Sequence, residues 1–208
     1  MANPLSAAIW GAAPAGSPGR AGWLVRRRVA LTVVLLALAA ALELLSGAPP
    51  RDWLRGGGLV TLASGAAILA GLLLRSWAAG TISKWERLAT TGPYAWVRHP
   101  LYLGSVLLTL GFCGLMRSPL VCLLVLSPLG GSYWLAIRHE EARLARHYPE
   151  WTAYAQRVGL LLPRQLSWPR MGDWSAAQWL RNREYCAWIG AAAALGLMIS
   201  RPWWSSSG

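Results

Sequence analysis

The chain has 208 residues, of which 55% are hydrophobic and only 13% are charged, and its formal net charge is +12. A composition this apolar excludes an ordinary soluble domain, and the apolar residues form long uninterrupted runs that are typical of transmembrane helices. In a soluble protein the positive charge would suggest nucleic-acid binding, but in a membrane protein the preference of Lys and Arg for cytoplasmic loops accounts for it.

The N-terminal part of the chain predicts a tail and two membrane spans. Residues 1–22 are rich in Ala, Gly, Pro and Ser and are predicted to form a disordered tail. The apolar run 29–45 follows an arginine cluster. Because this run is longer than the core of a signal peptide, we expect a retained first span rather than a cleaved signal. A turn-rich loop, 47–58, leads to a second span, 59–77.

The middle of the chain predicts a tight helical hairpin. Residues 101–116 are a short third span, and residues 120–137 return as a fourth. Pro128 and the two glycines that follow it are expected to bend or break the fourth span midway. In a membrane such breaks are tolerated where neighbouring groups satisfy the freed backbone.

A charged helix and a last span complete the chain. Residues 138–158 predict a charged helix that continues from the fourth span and is interrupted at Pro149. Residues 159–184 are mixed and rich in Trp, which is typical of an interfacial segment, and residues 185–200 are predicted to be a fifth span. The domains that we predict are a tail, two N-terminal spans, a core that holds the hairpin and the charged helix, and a C-terminal extension with an extra span: 1–22, 23–77, 78–163 and 164–208.

Charge sets the predicted orientation of this all-α integral membrane protein of about five transmembrane helices. With the N-terminus inside and five crossings, 16 of the 20 Lys and Arg residues lie on the cytoplasmic side, as the positive-inside rule requires. The Ala-, Arg- and Trp-rich composition favours a bacterial inner membrane. Segments 78–100 and 138–158 then share the cytoplasmic face, where they are expected to meet and form a cofactor pocket.

The sequence TGPYAWVRHPLYLG at 91–104 has more special residues than a membrane edge needs. Pro93 and Pro100 fix the backbone, and a helix is predicted to begin at Pro100, a favourable first helical position for proline. The free N–H groups of that helix start lie beside Arg98 and His99. The residue types fit a small-molecule site and an interfacial anchor equally well.

Two adjacent carboxylates lie on the charged helix. Glu140 and Glu141 point about 100° apart, so we expect one to bind a ligand while the other pairs with an arginine. The alternative is a solvated helix with an ordinary Glu140–Arg143 pair. With segment 91–104, the carboxylates suit a ligand that has an ammonium group, a carboxylate and an aromatic ring, and S-adenosylmethionine has all three.

Other kinds of site are not indicated. The histidines form no HExxH motif, so a metal site is not predicted, and no GxGxxG, P-loop or Gly-x-Ser-x-Gly motif occurs. The cysteines have no CxxC spacing and are interpreted as small hydrophobic residues: Cys113, Cys122 and Cys186.

Residues 88–163 resemble the isoprenylcysteine carboxyl methyltransferase family and the related integral-membrane phospholipid methyltransferases. The first part of the match is Gly92-Pro93-Tyr94, Arg98-His99-Pro100, Tyr102 and Gly104, and the second is Glu140-Glu141, Leu144, Tyr148, Tyr154, Arg157-Val158 and Pro163. One departure is His147-Tyr148-Pro149, where the family often has a glycine near the helix break.

The resemblance implies that the core 78–163 is a methyltransferase core, with S-adenosylmethionine at the cytoplasmic membrane edge and a lipid-like or prenylated acceptor from the bilayer. Glu140 would hold the cofactor's amino group, with Glu141 as the alternate and as a candidate base beside His99. Arg138 or Arg157 would bind an anionic group of the acceptor. The full set of cofactor-binding residues implied is Leu88, Ala89, Tyr94, Arg98, His99, Pro100, Leu101, Tyr102, Gly104 and Glu140.

The acceptor and two rival functions stay open. A carboxylate acceptor needs no general base, and the sequence shows no committed base, so carboxyl O-methylation is favoured over transfer to an amine, a phenol or a thiol. Membrane sterol reductases have a similar C-terminal arrangement and use a nicotinamide cofactor, but they usually have Asn where this chain has Leu101. The second rival is a non-catalytic membrane protein.

Overall fold

The computed structural model describes residues 58–82, 87–164 and 174–205, with only the backbone at 120–121 and 200–205. The predicted tail 1–22 and first span 29–45 lie outside the described residues. Within the described ranges the chain is helical and has no β-strand. Its elements are α1 (Gly58–Thr81), a short 3-10 helix (Gly92–Ala95), α2 (Pro100–Met116), α3 (Pro119–His147), α4 (Trp151–Arg157), α5 (Ala176–Arg181) and α6 (Tyr185–Ser205).

Helix α1 is long and apolar enough to cross a membrane. Its most apolar window has a mean hydropathy of 1.8, and only 22% of that window is buried, whereas the core helix of a soluble protein would be mostly buried. Two shorter apolar helices are Pro100–Met116 and Tyr185–Ile199. The helical architecture agrees with the predicted class, and the five crossings remain a prediction.

Helices α1 and α2 approach closely through small residues. A Cβ added to Gly71 would lie 2.7 Å from the Gly104 carbonyl oxygen, and one added to Gly111 would lie 2.7 Å from the Ser64 carbonyl oxygen. Such contacts leave no room for a side chain and let the two backbones touch. The apolar cluster beside them joins α1, α2 and α6 through Ile68, Leu72, Phe112 and Ala191.

The predicted hairpin of α2 and α3 is present. Arg117 ends α2 in the left-handed conformation, with φ 50°, and α3 begins two residues later. Tyr102, near the start of α2, clusters with Ala136 of α3, whereas Met116, at the end of α2, clusters with Val125. The two helices are therefore antiparallel.

Helix α3 runs unbroken through Pro128, so a break in the fourth span is ruled out, and the predicted bend stays a prediction. A proline inside a helix removes one backbone hydrogen bond, and here the buried side chains of Val125 and Leu129 on either side hold the helix to its neighbours. The interruption predicted at Pro149 is confirmed, because α3 ends at His147 and α4 begins at Trp151.

Two helix ends differ from the predicted bounds. Helix α1 extends to Thr81 rather than ending at Trp77, and α6 extends to Ser205 rather than ending at Ser200. At α1 the reason is visible in the structure: side chains of the C-terminal segment bind the carbonyl groups of its last turn.

Candidate functional site

The loop before α2 is folded tightly against α1. Gly92 has φ +57°, and a Cβ there would lie 3.3 Å from both Thr81 Oγ1 and Trp77 Nε1, so this position favours glycine for conformation and for space. The 3-10 helix that starts at Gly92 buries the Tyr94 side chain. Helix α2 begins at Pro100, as predicted.

A strap after α4, residues 158–160, holds this loop from the other side. Arg98 N–H donates to the Gly159 carbonyl at 2.8 Å, and His99 N–H donates to the Leu160 carbonyl at 3.2 Å. The Tyr154 hydroxyl donates to the Tyr94 carbonyl at 2.8 Å. The backbone on both sides of the predicted cofactor-binding residues is therefore fixed by hydrogen bonds.

Glu141 is buried and in contact with two side chains of this loop, Arg98 and His99. Its Oε1 lies 3.2 Å from Arg98 Nη2 and 3.3 Å from His99 Nε2. Arg98 is 9% exposed and Glu141 is 7% exposed, so the pair is shielded from water. Arg98 also donates to the Ala155 carbonyl and lies over the Trp151 ring. Burial lowers the pKa of Arg98, and the charge of Glu141 raises it.

Glu140 faces a different set of groups. Its Oε2 accepts a hydrogen bond from the Tyr102 hydroxyl at 3.2 Å, and the residue is only half-buried. The Tyr102 ring packs edge-on against His99 and Tyr133, with centroids 5.7 and 5.4 Å away. One carboxylate thus pairs with an arginine while its neighbour stays accessible, which is the division of contacts expected from their 100° separation.

The Tyr94 hydroxyl is buried and has no hydrogen-bond partner among the described residues. Burial raises the pKa of Tyr94 well above its ordinary value, and the charge of Glu140 raises it further. A buried polar group without a partner costs free energy and needs an explanation. A polar ligand beside Tyr94 and Glu140 would supply the missing partner, so these residues fit a ligand with a cationic group.

Sequence reasoning missed an ion pair between α1 and the chain before α6. Arg75 Nε and Nη2 lie 2.7 and 2.9 Å from the two carboxylate oxygens of Glu184. The other Arg75 nitrogen donates to Ser105 Oγ at 2.5 Å and to the Leu101 carbonyl at 3.4 Å. The partners are 109 positions apart, and no pattern in the sequence connects them.

Comparison with known proteins agrees with this architecture. Residues 59–150 match the family model described as phospholipid methyltransferase. This part of the chain is therefore similar to the phospholipid methyltransferase family. The match confirms the resemblance over residues 88–150 and also covers α1.

Two curated relatives are named for metal resistance. The cobalt-zinc-cadmium resistance protein CzcN of Cupriavidus metallidurans is 32% identical over 129 residues, which are 60% of this chain and 57% of that protein. The nickel-cobalt-cadmium resistance protein NccN of Alcaligenes xylosoxydans xylosoxydans is 35% identical over 92 residues, 43% of each chain. The chain thus spans about half the length of the curated relatives it matches. No solved structure matches the chain.

The remaining predicted cofactor residues lie on the same loop and on the first turns of α2. Leu88 and Ala89 are half-buried ahead of the 3-10 helix, and Pro100 is buried at the helix start. The carbonyl of Leu101 accepts from Arg75. Gly104 contacts α1, where an added Cβ would lie 2.8 Å from the Gly71 carbonyl oxygen, so its visible role is helix packing.

The two arginines predicted to bind the acceptor lie on α3 and α4. The Arg138 guanidinium is 5.8 Å from the centre of the Trp134 ring on α3. Arg157 is exposed, and its Nε donates to the Ala153 carbonyl of its own helix at 3.2 Å. Among the residues that the structure describes, no three His, Cys, Asp or Glu side chains group as metal ligands would.

Proposed function

We propose that this protein is a membrane methyltransferase that uses S-adenosylmethionine and methylates a lipid-like or prenylated acceptor. The family match supports the reaction class. The observation that carries the choice of cofactor is the buried, unpartnered Tyr94 hydroxyl near the Glu140 carboxylate. When bound, S-adenosylmethionine supplies an activated methyl group on a positively charged sulfur.

Each residue of the cluster has a distinct proposed task. Glu140 accepts the ammonium group of the cofactor, and Tyr102 holds that carboxylate in place. Tyr94 donates its hydroxyl hydrogen to a polar group of the same ligand. The aromatic rings around Tyr102 suit the positive sulfur. Glu141 does not touch the ligand in this proposal, because Arg98 and His99 already occupy it.

Carboxyl O-methylation is the reaction that we favour. An ionised carboxylate needs no base, whereas an amine or a phenol must lose a proton. Since Glu141 and His99 are buried and bound to each other, neither is placed as a free base. Positioning then supplies much of the rate acceleration, with Arg138 or Arg157 binding the acceptor's anionic group.

The cellular setting is proposed from charge and from the relatives. The Lys and Arg distribution supports a cytoplasmic N-terminus and active site in a bacterial inner membrane, with the acceptor reaching the site from the bilayer. The curated relatives are named for resistance to cobalt, zinc, cadmium and nickel. We therefore propose methylation of a membrane constituent during metal stress as the physiological role.

Two other functions compete with this proposal. A reductase resembling the sterol reductases would bind NADPH instead of S-adenosylmethionine. A non-catalytic membrane protein would bind neither, and alanine at Tyr94 or Glu140 would then affect only folding. Binding measurements with the two cofactors separate all three.

The test is S-adenosylmethionine binding to the detergent-purified protein by calorimetry, with NADPH titrated in parallel. Replacing a charged hydrogen-bonding group costs about 1.5–3 kcal/mol, and replacing a neutral one costs about 0.5–1.5 kcal/mol. We expect Glu140→Gln to weaken binding by more than about tenfold and Tyr94→Phe by about three- to tenfold. Glu150→Gln is the matched control, because Glu150 is exposed and its side chain caps no helix. Binding of NADPH alone, or of neither cofactor by folded wild type, would overturn the proposal.

A further inference from the structure

The segment 174–188 clamps the end of α1. The last carbonyl groups of any helix have no partner within the helix, and here the C-terminal segment supplies partners for those of Ala79 and Gly80 and also binds the carbonyls of Ser76 and Ile82. The bonds are Trp174 Nε1 to the Ser76 carbonyl (3.1 Å), Ser175 N to the Gly80 carbonyl (3.0 Å), Gln178 Nε2 to the Ile82 carbonyl (2.6 Å) and Asn182 Nδ2 to the Ala79 carbonyl (2.7 Å). This clamp segment lies outside the family-matched residues 59–150.

Glu184 is the charged member of the clamp segment. Its side chain is 4% exposed, and both of its oxygens bind the Arg75 guanidinium. A buried carboxylate needs a partner of this kind, because an unpaired buried charge is strongly destabilising. The two charges also affect the pKa of the Tyr94 hydroxyl: Glu184 raises it and Arg75 lowers it. Burial and the charge of Glu140 have larger effects on the same pKa.

Arg75 connects the clamp segment to the first turns of α2. Its Nη1 donates to the Leu101 carbonyl and to Ser105 Oγ. Tyr102, the next residue after Leu101, donates to Glu140. Contacts therefore run without a gap from Glu184 through Arg75 and the start of α2 to the carboxylate proposed to hold the cofactor.

We propose that Glu184, acting through Arg75, is a positioning residue for the cofactor site, so that the clamp segment completes a site whose other residues lie in the methyltransferase core. The inference rests on the proposed function, because the site it positions is the S-adenosylmethionine site. A site whose supporting residues are removed loses the geometry on which binding depends.

The test measures S-adenosylmethionine affinity and thermal stability of the full chain in detergent. Glu184→Gln removes the charge that orients Arg75 and is expected to weaken binding about tenfold. Glu184→Asp keeps a carboxylate and restores affinity to within about threefold of wild type. Because Glu184 acts through Arg75, the Arg75→Gln/Glu184→Gln double variant binds no more weakly than Arg75→Gln alone. Asn182→Ala, the control, loses a clamp bond without touching Arg75, so it lowers stability and leaves affinity within about twofold.

The outcomes separate the inference from the proposed function. If the folded wild-type protein does not bind S-adenosylmethionine, both the inference and the proposed function are refuted. Wild-type binding with unchanged affinity in Glu184→Gln overturns the positioning role and leaves the proposed function standing. Equal losses of affinity in Asn182→Ala and Glu184→Gln also overturn the positioning role, because the loss would then come from loosening the clamp segment in general and not from Glu184. If Glu184→Gln does not fold, the double variant buries no unpaired charge, and wild-type affinity in that protein refutes the inference.

Discussion

Glu140 and Glu141 are neighbours in sequence with opposite environments, and replacing each with Gln separates their roles. The substitution keeps the size of the side chain and removes its charge. Glu141→Gln leaves the buried Arg98 without its ion-pair partner, whereas Glu140→Gln changes a half-buried group that accepts one bond, from Tyr102, at 3.2 Å.

The magnitudes follow from burial. Removing one partner of a buried ion pair costs about 3–5 kcal/mol, and Arg98, His99 and Glu141 are 9%, 4% and 7% exposed. We expect Glu141→Gln to reduce the free energy of unfolding by about 3 kcal/mol, a fall in Tm of roughly 6–12 °C for a chain of this size. For Glu140→Gln the loss is at most about 1.5 kcal/mol, the value of one hydrogen bond.

The measurement is thermal unfolding in one detergent, followed by tryptophan fluorescence, beside S-adenosylmethionine calorimetry below both transitions. We expect the two substitutions to affect different properties: Glu141→Gln gives the less stable protein, and Glu140→Gln gives the weaker binding of S-adenosylmethionine. Equal stabilities would show that the Glu141 pair is not an energetically important contact. A larger stability loss in Glu140→Gln would refute the assignment of roles to the two carboxylates.

Three further predictions concern packing and the loop. Gly71→Ala places a methyl group against the Gly104 carbonyl and should lower the free energy of unfolding by about 1–3 kcal/mol. As a control, a methyl group added by Gly65→Ala on the same helix meets nothing within 4 Å, so this change should be neutral or stabilising. Equal effects of the two substitutions in unfolding experiments would contradict the close approach of α1 and α2. Tyr154→Phe leaves the Tyr94 carbonyl without its hydrogen bond from α4 and should cost about 1–3 kcal/mol, with an unchanged Tm as the contrary result. Burial raises the pKa of Tyr94 above its ordinary value, so the phenol stays protonated from pH 6 to 9, and Tyr94→Phe should lower methyl-transfer rates without changing their pH profile over that range.

Local patterns gave the correct prediction where the cause was local. Pro100 begins a helix because the N–H that proline lacks would have no partner at the first helical position. Pro149 interrupts a helix because, in a helix interior, the missing N–H removes a backbone hydrogen bond. The separation of Glu140 from Glu141 followed from helical geometry alone. Each of these features depends on a few consecutive residues, so the sequence contained the whole cause.

Features decided by distant contacts were not predictable in this way. The local rule that applied to Pro149 failed at Pro128, because tertiary packing of Val125 and Leu129 keeps α3 continuous. The bond from the strap to Arg98 depends on a backbone carbonyl of Gly159, which no side-chain pattern reveals. The Arg75–Glu184 pair joins residues from opposite ends of the described chain, and only the folded arrangement brings them together.

Because α3 is continuous, the orientation of its first turns also determines where its last turns lie. The helix has 29 residues and is therefore roughly 44 Å long, with its apolar turns at one end and Glu140 and Glu141 near the other. A helix that crosses a thicker or thinner bilayer adjusts by tilting, and a continuous helix transmits that tilt to the turns at its far end. With α3 as the predicted fourth span, we expect the position of the Glu140 carboxylate to depend on the thickness of the surrounding membrane, so lipid composition is a variable to control when the affinity of this site is compared between detergent, nanodisc and vesicle.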